Sequence, residues 1–219
     1  MVDRRLLIVT GKGGVGRSAL AAALGIRAAR AGKRVLLVGM TDALGVASHV
    51  NVGRLEYRPV EVRPGLSAMA IDPASALDDY LRTEVRVPRV GPMGGAFRLL
   101  ADPVPGIRDM LVMGKVIHES RRDEWDLVVG DGPPIGQIGS YLRAPSVIGS
   151  LVPSGRIQRQ AARLAAALGD GLHSALIVVT LAEELPVAET LAALDALERE
   201  RTVPVAGVVA NRILSLIHI

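Results

Sequence analysis

Gly11-Lys12-Gly13-Gly14-Val15-Gly16-Arg17-Ser18 lies between the apolar run Leu6-Leu7-Ile8-Val9 and the alanine-rich segment from Ala19 to Ala31. A buried strand, a glycine turn and a helix start in that order form a phosphate-binding loop. The glycines let the backbone approach an anion closely, so that successive N–H groups and the helix N-terminus converge on phosphate oxygens. Ser18 stands where a hydroxyl would hold magnesium. Arg17 occupies the place of the usual lysine and is the one departure from the fixed pattern.

Outward from the loop, the pattern predicts a strand over residues 5–10, a helix over 17–31 stopped by Gly32, and a strand from Arg34 to Gly39. Such a β-α-β unit has parallel strands and a right-handed crossover. Asp42 follows the second strand, so its carboxylate is expected at the carboxyl edge of the sheet, beside the loop, where doubly wound folds bind ligands. A helix cap or turn residue is the competing reading of Asp42.

Residues 43–64 show no regular period. A strand is expected from Leu66 to Ile71, then a helix capped by Asp72-Pro73 and running to Glu84. Residues 88–106 are rich in Pro and Gly, with Met93, Phe97, Leu99 and Leu100 interspersed. That composition suits either a surface for a partner or a loop folded on its own core. A helix over 106–122 follows. Trp125-Asp126-Leu127-Val128-Val129-Gly130-Asp131-Gly132-Pro133-Pro134 is the second signal. An apolar strand ending in aspartate is where phosphate-loop enzymes keep the acid that orients magnesium through water. Helices over 136–144 and 156–169, a strand from Ser174 to Thr180, a helix from Glu183 to Glu200 and a strand from Val205 to Ala210 complete the pattern. Asn211 then falls at the carboxyl edge, as a reader of a base edge or as a turn residue.

The 219 residues make one large domain or one and a half, with 49% hydrophobic residues but only 2% aromatic, so the core is aliphatic. The formal net charge is +4, and every basic side chain except Lys12, Lys33 and Lys115 is arginine. The arginines are scattered without aromatic neighbours for stacking, so no nucleic-acid partner is expected. The absence of Cys excludes disulfides, thiolate metal sites and a cysteine nucleophile within these residues. With no signal peptide and no apolar run of membrane-spanning length, the cytoplasm is the expected compartment. Residues 214–219, Leu-Ser-Leu-Ile-His-Ile, resemble the translation of a sequencing-library adaptor. The expected domain is therefore 1–213, a phosphate-loop domain cut short at its C-terminal side.

With the loop, Asp42, Asp131 and Asn211 in place, the chain resembles the deviant phosphate-loop (P-loop) ATPases, and among them the ArsA family of anion-pump and tail-anchored-protein-targeting ATPases. The resemblance covers residues 4–213 and is carried in order by Gly11 to Ser18, Leu66 to Pro73, Gly114-Lys115, Asp126 to Pro134, Val178 to Pro186 and Asn211-Arg212. It implies an α/β fold, a mostly parallel doubly wound sheet covered by helices, with a helical insertion around 85–122. It also implies ATP and magnesium as cofactors, a homodimer or a heterodimer with a related ATPase, and a protein client or membrane-protein partner. The implied nucleotide-binding set is Gly11, Lys12, Gly13, Gly14, Val15, Gly16, Arg17, Ser18, Ala19 and Asn211, with Ser18 and Asp131 at the metal. Lys12 matches the signature lysine that reaches across the dimer, and Arg17 the lysine on the β and γ phosphates. Asp42 matches the acid that positions the attacking water, Asp131 the switch acid near magnesium, and Asn211 the asparagine that reads adenine.

The chain also departs from the family. Arginine is planar and bulkier than lysine, so slow hydrolysis is expected of Arg17. The family's Asp-Pro-Ala-His-Ser becomes Asp42-Ala43-Leu44-Gly45, and Ile135 and Gln137 replace the Thr and His of many relatives. The alternatives are a catalytically weak, nucleotide-binding regulatory subunit of a heterodimer and a partition or septum-positioning ATPase. The cysteines that bind arsenite in pumps are absent, which disfavours that substrate.

Overall fold

Leu6, Leu7, Ile8 and Val9 are all fully buried because they form the central strand of a sheet covered on both faces. The computed structural model describes residues 4–82, 106–151 and 154–213. In chain order they form β1 (Leu6–Gly11), α1 (Arg17–Arg30), β2 (Val35–Gly39), α2 (Ala43–His49), β3 (Val60–Arg63), β4 (Leu66–Ala70) and α3 (Pro73–Tyr80). The second half holds α4 (Ile107–Ser120), β5 (Leu127–Pro134), α5 (Ile135–Leu151), α6 (Arg156–Gly169), β6 (Ser174–Leu181), α7 (Glu184–Glu200) and β7 (Val205–Asn211). The seven strands lie in the order β3-β4-β2-β5-β1-β6-β7. All neighbours are parallel except β3 and β4, which pair antiparallel at one edge.

Successive strand residues face opposite sides of the sheet, which divides the core in two. Leu6, Ile8, Leu36 and Val38 pack with Val116 and Ile117 of α4, Ile138 and Leu142 of α5, Leu164 of α6 and Leu197 of α7. Leu7, Val9, Val35 and Leu37 pack on the other face with Ala21, Ala22 and Ala28 of α1 and Val46 of α2. The small residues of α1 let it lie close to the sheet: a Cβ on Gly25 would come within 3.3 Å of Leu66. Each fully buried Leu, Ile or Val contributes about 1.5–3 kcal/mol. This is the doubly wound architecture expected from the alternation of strands and helices.

Two described segments differ from the sequence pattern. Residues 43–64 contain α2 and β3. The first has seven residues and the second four, too short to reveal a period, so the Val-Glu-Val-Arg alternation of β3, a mostly exposed edge strand, does not stand out. The helix expected to stop at 144 runs to Leu151 through Pro145. Proline removes one backbone donor and normally interrupts a helix, but Ala144, Pro145 and Ile148 are buried there and hold it in place. The helix capped by Asp72 spans Pro73–Tyr80 and continues as a π turn through 81–82, with the Asp72 carboxylate accepting from the Ser75 N–H at 2.9 Å. Residues 83–84, to which it was expected to run, lie outside the described residues. The first part of the expected insertion, residues 85–105, and residues 214–219 lie outside the described residues. The second part of the insertion is α4.

β1 lies between β5 and β6, and the chain moves out from it toward β2 on one side and β7 on the other. The carboxyl ends of β1, β2 and β5 therefore meet at one crevice, where an open α/β sheet binds its ligand.

Candidate functional site

The register of the three central strands sets the site. Asp131 of β5 pairs with Val9 of β1 on one side and Gly39 of β2 on the other. Its carboxylate therefore lies level with the end of β1, directly under the loop. Asp131 is 2% exposed. The Ser18 hydroxyl, in the first turn of α1, donates to Asp131 Oδ2 at 2.6 Å. The other oxygen, Oδ1, is buried with no hydrogen-bond partner. Burial pushes the Asp131 carboxyl above its ordinary range. The Ser18 hydroxyl and the Arg17 charge oppose that rise, the Asp42 charge adds to it, and His49 offsets it.

The loop owes its shape to its glycines. Gly14 and Gly16 have φ of 82° and 100°, conformations that a side chain would strain. Gly16 caps α1 without any side-chain acceptor, so the first N–H groups of the helix, at Arg17, Ser18 and Ala19, have no capping side chain. Gly13 and Gly14 are exposed, whereas Val15 is buried and anchors the loop in the α1 face of the core. Gly11 is wedged against β6, where a Cβ would meet Val179 O at 2.3 Å.

Four cationic or polar side chains of the expected set have partners within the chain. Lys12 Nζ donates to Glu189 Oε1 of α7 at 2.8 Å, with the two side chains 34% and 40% exposed. Such a screened pair is worth only about 0–1 kcal/mol and exchanges readily. Arg17 Nη1 donates to Gly132 O at 2.6 Å. Asn211 Nδ2 donates to Val15 O at 2.8 Å and its Oδ1 accepts from the Arg212 N–H at 2.9 Å, so this amide braces the loop from β7. Asp42 is the N-cap of α2, with Oδ1 accepting from the N–H groups of Leu44 and Gly45 at 3.0 and 2.9 Å. Its second oxygen faces the loop: a Cβ at Gly45 would lie 2.7 Å from both Asp42 Oδ2 and Ser18 Oγ.

Ser18, Asp131, Arg17 and Asp42 thus converge, with Lys12 and Asn211 at the rim. Three further residues emerge only in the fold. Glu189 partners Lys12 from a distant helix, Gly45 makes room between Asp42 and Ser18, and His49 holds Gly45 O with Nδ1 at 2.7 Å while its charge reaches Asp131. Only the four-residue spacing of 45 and 49, one turn apart on a helix, could have pointed to His49.

The residues present fit magnesium and a nucleotide. A hard cation takes oxygen ligands, and a bound one usually uses one or two protein oxygens together with phosphate oxygens. The unpartnered Asp131 Oδ1 beside the Ser18 hydroxyl offers that donor set, and the uncapped N–H groups of α1 offer the phosphate cradle.

A family model described as anion-transporting ATPase matches residues 4–168. ATPase BagA of Mycobacterium tuberculosis is 33% identical over 222 residues, which cover 95% of this chain and 65% of that protein. ATPase get3 of Schizosaccharomyces japonicus is 32% identical over 144 residues, 65% of this chain and 44% of the fungal one. The chain therefore spans 65% of the length of its mycobacterial relative. With the loop, the sheet-edge acids and a match from residue 4 to residue 168, the chain belongs to the anion-transporting ATPase (ArsA) family.

Proposed function

We propose that this chain is the nucleotide-binding and catalytic part of an ATP hydrolase, taking ATP with magnesium at residues 11–19 and releasing ADP and phosphate. The observation that carries this reading is the Asp131 carboxylate, buried, with one oxygen on Ser18 and the other on nothing. A buried charge without a partner is costly, and a cation against Oδ1 would remove that cost. In this reading the N–H groups of the loop and of α1 as far as Ala19 hold the phosphates, and Ser18 and Asp131 hold the metal. Asp42 Oδ2 turns a water toward the γ phosphate, and Lys12 leaves Glu189 to set its charge beside the transferring group. Magnesium, when bound, neutralises charge on the phosphate oxygens.

We further propose that the protein works in the cytoplasm as a dimer, with itself or with a related ATPase, and that nucleotide state sets a surface for a protein client. The exposed Leu185 of α7, one turn before Glu189 on the same side of the helix, supports a partner at this face. Among the described residues no helix is long and apolar enough to cross a membrane.

The test is magnesium-ATP binding and turnover on the whole protein with Ser18→Ala, Asp131→Asn and Lys12→Ala. Because the folded state raises the Asp131 carboxyl, ionisation of that group weakens the nucleotide-free fold at neutral pH. Asp131→Asn should therefore melt no lower than wild type without nucleotide, yet gain little from magnesium-ATP. Lys12→Ala should bind and fail to turn over. Wild type that hydrolyses no more ATP than Ser18→Ala would defeat the proposal. A nucleotide-sensing subunit without chemistry of its own is the second reading, favoured by the capping role of Asp42 Oδ1 and the Lys12–Glu189 pair. Tight binding with no turnover in wild type would select it.

A further inference from the structure

Three successive carbonyls at the end of β5 are each claimed by a different element. Asp131 O accepts from the Met40 N–H after β2 at 3.1 Å, and Pro133 O accepts from Thr10 Oγ1 of β1 at 2.7 Å. Between them, Gly132 O accepts from Arg17 Nη1 at 2.6 Å, so the first residue of α1 reaches over to the β5 residue that follows Asp131. The β5 backbone runs close to β1 here, for a Cβ at Gly132 would meet Val9 O at 2.8 Å.

A guanidinium carries five N–H donors on three nitrogens, whereas an ammonium carries three on one. An arginine can therefore hold a carbonyl with Nη1 and keep donors on its other nitrogens for an anion a few ångströms away. A lysine head would have to sit within hydrogen-bond reach of both. We infer that Arg17 is a positioning residue, a strut that ties the Gly132 carbonyl to the phosphate loop and keeps Asp131 in line with Ser18 while its remaining N–H groups face the phosphates. Arginine at this position is then fitted to the site and is no degraded lysine. The anion-facing half of the inference rests on the nucleotide-binding reading. The strut stands in the nucleotide-free chain.

The experiment compares wild type, Arg17→Lys and Arg17→Gln by hydrogen exchange over residues 131–136 without nucleotide. It also compares affinity for magnesium-ADP and magnesium-ATP by calorimetry and overall melting temperature. Pro133 and Pro134 carry no N–H, so the readout is the amides of Asp131, Gly132, Ile135 and Gly136, whose exchange should speed about tenfold in both variants on loss of one charge-assisted hydrogen bond. ATP affinity should fall about tenfold in Arg17→Lys and further in Arg17→Gln, with ADP affinity less affected and melting within a few degrees of wild type. Unchanged exchange, or Arg17→Lys binding ATP more tightly or turning it over faster than wild type, overturns the inference. If either variant fails to fold, the exchange comparison on the other decides. Faster exchange in the variants of a protein that binds no nucleotide would keep the strut and reject the nucleotide reading.

Discussion

Gly45 leaves room between Asp42 and Ser18 that no side chain could share with both in place. A Cβ there would meet Asp42 Oδ2 and Ser18 Oγ at 2.7 Å each, and both atoms are ends of side chains that can rotate away. Alanine is favoured over glycine within a helix by about 1 kcal/mol, so Gly45→Ala should leave the nucleotide-free melting temperature unchanged or higher. It should also displace Ser18 or Asp42 and lower magnesium-nucleotide affinity about tenfold by calorimetry. An unchanged affinity would mean that the room beside Ser18 is not needed. Ser18 and Asp131 were legible because each is fixed by the end of a single apolar run. Gly45, Glu189 and His49 were not, because their roles arise from contacts between elements far apart in the chain or from one turn of a helix too short to see. Asn211 was legible in position, but its bond to Val15 O depends on β7 lying beside β6, which no local pattern encodes.

The helix α2 joins the two readings of Asp42, cap and water-positioning acid, in one carboxylate. Oδ1 caps the helix and Oδ2 faces Ser18. Asparagine caps helices as well as aspartate does but carries no charge, whereas alanine does neither, at a cost of about 1 kcal/mol. Asp42→Ala should therefore lower stability in urea by about 1 kcal/mol, and Asp42→Asn by no more than a few tenths. If Oδ2 orients the water, Asp42→Asn should abolish turnover at unaltered nucleotide affinity. Wild-type turnover in that variant would reduce Asp42 to a cap. The β1-α1-β2 unit was readable because two buried strands flank a helix long enough to show its period. The C-terminal part of α5 was not, because burial of Pro145 and its neighbours overrides the local preference of proline to end a helix.

The two edges of the sheet have different tasks. The candidate site gathers at the carboxyl edge, and the amino edge is tied by polar links between distant segments. There Arg5 donates to the carbonyls of Ser120, Arg122 and Trp125, and His173 O accepts the N–H groups of Arg5 and Leu6. The imidazole of His173 closes the set, with Nε2 2.9 Å from Ser120 Oγ. The Ser120 hydroxyl donates its one proton to Ile117 O at 2.8 Å, so Nε2 is the donor and the neutral ring carries its proton there. Burial holds the His173 titration below its ordinary value of 6.5, the Arg121 and Arg5 charges hold it lower, and Asp170 pulls the other way. Between the lowered folded value and the ordinary one, the unfolded chain binds more protons than the folded chain, so stability rises with pH across that window and levels off above it. His173→Gln removes the titrating group while keeping an amide donor for Ser120. Urea midpoints at about pH 5.5, 6.5 and 7.5 should climb in wild type and climb less in the variant, the difference between the two slopes being the contribution of this one ring. Equal slopes would place the acid sensitivity of the fold elsewhere. A flat wild-type profile above a falling variant would mean that the ring's contribution is there but is offset by the ionisation of Asp131, which runs the other way.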